Sequence, residues 1–145
     1  MNVIALDKMR AVFRVDASIN IGSGHLMRCK TIAHFLKEKN WDCTFLLRKE
    51  TENFLDKDFI ENFKYKFLEC SSVLELKEIK SLIDFKPDLM IIDSYDWDYI
   101  KEKKLHNFTT KLIVIDDLAN RKHDCDILLD QTYKRRKSDY TKLVG

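Results

Sequence analysis

The chain is short of most features that give away a function cheaply. Its four cysteines, at 29, 43, 70 and 125, form no C-x-x-C pair. A zinc site or a disulfide framework is therefore not expected, and a reducing cytoplasm is the default compartment. Cys43 and Cys70 lie in or at the ends of apolar runs and read as small core hydrophobes. No apolar stretch approaches the ~20 residues needed to cross a bilayer, so a membrane partner is not expected. Neither sign of charge dominates. Lys+Arg 26 against Asp+Glu 24 leaves a formal charge of +2, too balanced to argue for nucleic acid as a partner. The one dense basic run, Lys134-Arg-Arg-Lys137, is followed at once by Ser138-Asp139 and reads as a solvated segment. Glycine is scarce too: of only three, two fall in one turn, Gly22 and Gly24.

What is present fits one folded domain. Of 145 residues, 45% are hydrophobic and 34% charged, the balance of a chain that folds around a core. The apolar pattern alternates between short buried runs and helical spacing. Strands are expected at 11–15, 43–47, 65–68, 89–92, 111–115 and 127–129. Helices are expected at 26–39, 54–63, from Ser71 or Ser72 to Phe85, and at 97–106. Glu75 would supply a capping-box acid if Ser72 is the cap, and Pro87 ends that helix. Continuous apolar strands separated by helices indicate an α/β fold, a doubly wound parallel sheet of the Rossmann-like kind. Ligands of such sheets bind beyond the carboxyl ends of the strands, where Asp16, Asp93-Ser94-Tyr95 and Asp116-Asp117 fall.

The most informative residues are Asn20-Ile-Gly-Ser-Gly-His-Leu-Met-Arg28, between the first strand and the first helix. Gly22 and Gly24 let the backbone pass close to a ligand. A helix beginning there points free N–H groups and its positive end at an anion, usually phosphate. A dinucleotide fingerprint is incomplete, because Met27 stands where a third glycine belongs and Leu47 is followed by Arg48 and Lys49 instead of an acid. No nicotinamide or flavin cofactor is expected. His25 could cap the helix or pack on the sheet; a helix mouth also disfavours imidazolium, which would leave a neutral ring able to take a proton. His34, His106 and His123 lack that setting and read as surface residues. Arg28, one turn on, reaches a phosphate or a carboxylate, or lies on the surface. Tyr95 could pack in the core, but its place just past an apolar strand favours the rim, where its hydroxyl could meet a sugar. Asp16, Asp93, Asp116 and Asp117 could together hold a cation, but acids at strand ends more commonly cap the following turns. No metal is assigned.

These residues carry a resemblance. Phe13-Arg-Val-Asp16-Ala-Ser18-Ile-Asn-Ile-Gly22-Ser-Gly24-His25-Leu-Met-Arg28 resembles the opening of the UDP-sugar hydrolases of pseudaminic acid biosynthesis, grouped with spore-coat polysaccharide proteins. Leu89-Met-Ile-Ile-Asp93-Ser-Tyr95 and the stretch Val114 to Asp130 agree in register. The resemblance implies the amino-terminal domain of a glycosyltransferase-B type fold. It also implies hydrolysis of a UDP-linked 2,4-diacetamido-2,4,6-trideoxy sugar to UDP and free sugar. His25 is then the catalytic residue that positions or activates water, no cofactor is needed, and Asp16, Gly22, Ser23, Gly24, Arg28 and Tyr95 line the substrate.

Members of that family are about twice as long. The expected organisation is therefore an extension over residues 1–8, a Rossmann-like domain over 9–130, and over 131–145 the start of a linker to a missing C-terminal domain. That domain would be the partner, in cis or in trans, and the chain alone would be inactive or incomplete. A glycosyltransferase half-domain and a non-catalytic binding relic are the alternatives.

Overall fold

The computed structural model describes Met1 and residues 7–145; the extension expected over residues 1–8 falls mostly outside the described residues. Six strands, β1 (Arg10–Val15), β2 (Asp42–Arg48), β3 (Lys64–Leu68), β4 (Leu89–Asp93), β5 (Lys111–Ile115) and β6 (Ile127–Leu129), form one sheet in the order β3-β2-β1-β4-β5-β6. Every pairing is parallel. This is the α/β, Rossmann-like arrangement that the alternating pattern predicts. The order reverses between β1 and β4, so the crevice of the sheet opens at their carboxyl ends.

Period-two alternation places successive residues of each strand in different cores. Phe13, Val15, Phe45 and Leu47 pack with Leu26 and Cys29 of α1 (Gly24–Glu38) and Phe59 of α2 (Lys57–Asn62). Phe13 and Phe45, register partners on β1 and β2, stack with ring centroids 4.6 Å apart. On the other face, Val12, Leu46, Met90 and Ile92 meet Ile79 of α3 (Glu75–Leu82), Leu105 of α4 (Tyr99–His106) and Trp97.

Three helix expectations need correction, each for a polar reason. The stretch 54–63 is not one helix: a 3₁₀ turn over Lys49–Phe54 stops, and α2 restarts where Asp56 accepts from the Phe59 N–H at 2.8 Å. Neither Ser71 nor Ser72 caps α3. Leu74 precedes it without a side-chain cap, and Glu75 turns inward to pair with Arg14, which is wholly buried on β1. A buried guanidinium must be matched by charge, and that demand outweighs a capping box. Trp97 does not start α4; Asp98 caps it and Trp97 fills the core.

His123 is not a surface residue. It is buried, with Nδ1 2.8 Å from Glu102 and Nε2 3.6 Å from Asp116. Cys70, expected in the core, is half-buried, whereas Cys43 is buried as expected. The segment 131–145 packs back on the sheet. The Tyr140 hydroxyl lies 2.9 Å from Asp116 and 2.6 Å from Asp130, and the His123 N–H donates to the Leu143 carbonyl at 2.8 Å. The basic run is only partly solvated, because Arg135 turns back to pair with Asp130 at 2.7 Å. Burial alone would push His123 down, but its contacts with Asp116 and Glu102 raise it to about 9. A group raised in the folded state stabilises fully below its ordinary 6.5 and loses that contribution as pH climbs through the raised value. Urea unfolding across that window should show stability falling by on the order of 2 kcal/mol, and the His123→Gln variant should be less stable and lack the slope.

Candidate functional site

After β1 the chain turns sharply over residues 18–22. The Gly22 N–H donates to the Ser18 carbonyl at 2.7 Å, and Gly22 has φ +72°, a left-handed conformation that glycine adopts without strain. Helix α1 begins two residues later. No side chain of Ser23 caps it, and Gly24 borders open space. Among the described residues no side chain caps the first-turn N–H groups. His25 sits on that turn and Arg28 one turn further, on the same side of the helix.

These two residues meet the end of β4. His25 Nδ1 lies 2.5 Å from Asp93 Oδ1. Arg28 grips the same carboxylate with Nε 2.5 Å from Oδ2 and Nη2 2.6 Å from Oδ1. Its Nη1 lies 3.2 Å from Asp117 Oδ2, just past β5. The Tyr95 hydroxyl donates to Asp117 Oδ1 at 2.8 Å, and the Tyr95 ring meets the His25 ring edge-on with centroids 4.8 Å apart. A closed circuit results: His25, Asp93, Arg28, Asp117, Tyr95 and back to His25. Asp93 is only 1% exposed and His25 8%, whereas Tyr95 at 42% forms the outer lip.

The electrostatics follow from these contacts. Burial works against the Arg28 charge, but hydrogen bonds to Asp93 and Asp117 raise its proton affinity well above the usual arginine range, so it remains a cation. Burial and the bond to Asp117 push the Tyr95 phenol up to about 12, which keeps it a hydrogen-bond donor. Burial, reinforced by Asp93, raises the Cys29 thiol well above its ordinary value; it packs beneath the carboxylate as a neutral group.

Of the residues singled out in the sequence, His25, Arg28 and Tyr95 come together, with the Gly22-Ser23-Gly24 turn beside them. Asp16 stands apart. Its Oδ1 accepts from the Arg48 backbone N–H at 2.7 Å, and its Oδ2 pairs with Arg14 at 2.7 Å, so it ties the ends of β1 and β2 together. Asp93 and Asp117, weighed only among strand-end acids, are the additions. Asp116 caps the following turn, accepting from the Ala119 N–H at 2.9 Å. Among the described residues no group of three or more His, Cys, Asp or Glu is disposed to hold a metal ion. No helix among them is long and apolar enough to cross a membrane.

Over 136 residues, 94% of its length, the chain is 30% identical to the UDP-2,4-diacetamido-2,4,6-trideoxy-β-L-altropyranose hydrolase of Campylobacter jejuni. It resembles a UDP-sugar hydrolase. The match covers 46% of that relative, as an amino-terminal half would. An uncharacterized protein of Methanocaldococcus jannaschii is 28% identical over 109 residues, 75% of this chain and 22% of the relative. The chain thus spans less than half the length of these curated relatives. No protein-family model matches it.

Removing the guanidinium would leave Asp93 buried without its cation. Arg28→Ala should therefore cost about 3 kcal/mol in urea unfolding. Asp117→Asn, at the half-exposed end of the circuit, should cost under ~1 kcal/mol.

Proposed function

We propose that the chain is the base-bearing half of a hydrolase that splits a UDP-linked, acetamido-bearing deoxy sugar into UDP and free sugar. The carrying observation is the placement of His25: an imidazole on the first turn of α1, joined through Nδ1 to Asp93, at the switch point of a parallel sheet. The similarity to a hydrolase acting on a UDP-2,4-diacetamido-2,4,6-trideoxy sugar supports the reaction class and the substrate.

In this reading water attacks the anomeric carbon while the bond from that carbon to the diphosphate oxygen breaks. His25 takes the proton of the water through Nε2, and UDP departs with the bonding electron pair. The uncapped N–H groups and positive end of α1 face the region where negative charge grows on the leaving diphosphate. Tyr95, at the outer lip, offers its ring and hydroxyl to the sugar. The remaining uridine and diphosphate contacts come from a second domain of a glycosyltransferase-B type assembly, supplied in cis or in trans. The reaction then needs no cofactor, and the chain by itself turns over poorly or not at all.

Mixing the chain with the corresponding C-terminal half of the Campylobacter relative and its UDP-sugar should release UDP and a free reducing sugar. His25→Ala in that mixture should lower the rate at least ~100-fold, the usual worth of a general base. Unchanged turnover in the variant, or a glycoside as product, would overturn the assignment.

A further inference from the structure

We infer that Asp93 is a positioning residue for His25: its carboxylate fixes the ring with the proton on Nδ1 and leaves Nε2 as the nitrogen that meets water. This rests on the reading of His25 as the base and specifies how that base is aimed. The contact of 2.5 Å between Nδ1 and Asp93 Oδ1 is the basis. A nitrogen lone pair and a carboxylate oxygen repel at that separation, so a proton lies between them and Nδ1 is the donor. Arg28 Nη2 also lies 3.1 Å from Nδ1, but a guanidinium can only donate, and its hydrogen has Asp93 Oδ1 at 2.6 Å as the nearer acceptor. Both donors are aimed at one oxygen.

Asp93 can impose this orientation because it cannot turn. It ends the central strand β4, it is 1% exposed, and its two oxygens are held by the fork of Arg28, with Cys29 Sγ 3.6 Å from Oδ2. The ring is confined on another side by the edge-on Tyr95. Among the described residues Nε2 has no hydrogen-bond partner. A carboxylate serving only as the counter-charge of Arg28 would need neither the imidazole contact nor its short distance.

The tautomer can be read without turnover. Two-bond ¹H–¹⁵N spectra of the whole ¹⁵N-labelled chain, recorded at alkaline pH, should show His25 with a pyrrole-type Nδ1 and a pyridine-type Nε2. Asp93→Ala should return the ring to the mixture of a solvated imidazole, in which Nε2–H predominates. The paired variant Arg28→Met with Asp93→Ala, which leaves only the half-exposed Asp117 without its cation, should behave likewise if the single variant does not fold. Arg28→Lys should keep the wild-type tautomer. A wild-type ring protonated on Nε2, or an Asp93→Ala ring still protonated on Nδ1, overturns the assignment. Turnover that survives His25→Ala in the two-half mixture would instead defeat the catalytic reading and leave the tautomer result standing, so the two failures are separable.

Discussion

A single carboxylate at the end of the central strand organises the rim of this sheet. Asp93 is almost wholly removed from water, and a charge so placed persists only with a partner of opposite sign and satisfied hydrogen bonds. Arg28 supplies both. Because Arg28 and His25 lie three residues apart on α1, the fork that neutralises Asp93 also brings the imidazole to it. The same chain of necessity fixes where α1 must start, and hence where the glycine turn must deliver it. Strand order does the rest, since β1 and β4 are neighbours and the helix leaving β1 crosses the end of β4.

Two further buried ionic groups hold the loops around that rim. Arg14, Glu75 and Asp16 join β1 to α3 and to the end of β2, while His123, Glu102 and Asp116 join α4 to the segments after β5. Desolvation offsets much of the attraction in both groups, so neither is the main source of stability. The two apolar layers, with Phe13, Phe45 and Phe59 in one and Trp97, Met90 and Ile79 in the other, supply that. What the ionic groups specify is which element ends sit together.

The fold was legible because its strands are continuous apolar runs with few competing signals. The strands over Lys111–Ile115 and Ile127–Leu129 coincide with expectation, and the other four differ by one residue at one end or both. Expectation failed where a polar side chain chose a distant partner over a local one. Glu75 left its expected cap for Arg14, and His123 left the surface for Glu102 and Asp116. Such choices depend on which strands become neighbours, which no local window contains. The site was readable on one side for the same reason. His25 and Arg28 announce themselves beside a glycine turn, and Tyr95 through its place after an apolar strand. Asp93 and Asp117 looked like any acid at a strand end until α1 was laid over them.

Arg135 carries the basic run of the C-terminal segment back toward the site. Its guanidinium donates to the carbonyl of Asp117 at 2.8 Å while pairing with Asp130, and the adjacent Asp116 is held by Tyr140 and Arg121. Asp116 and Asp117 thus serve different partners, one anchored by Tyr140 and Arg121 and the other presented to Arg28 and Tyr95. The outer wall of the crevice is preorganised by residues that never touch it, so little conformational entropy remains to be lost there when a ligand arrives.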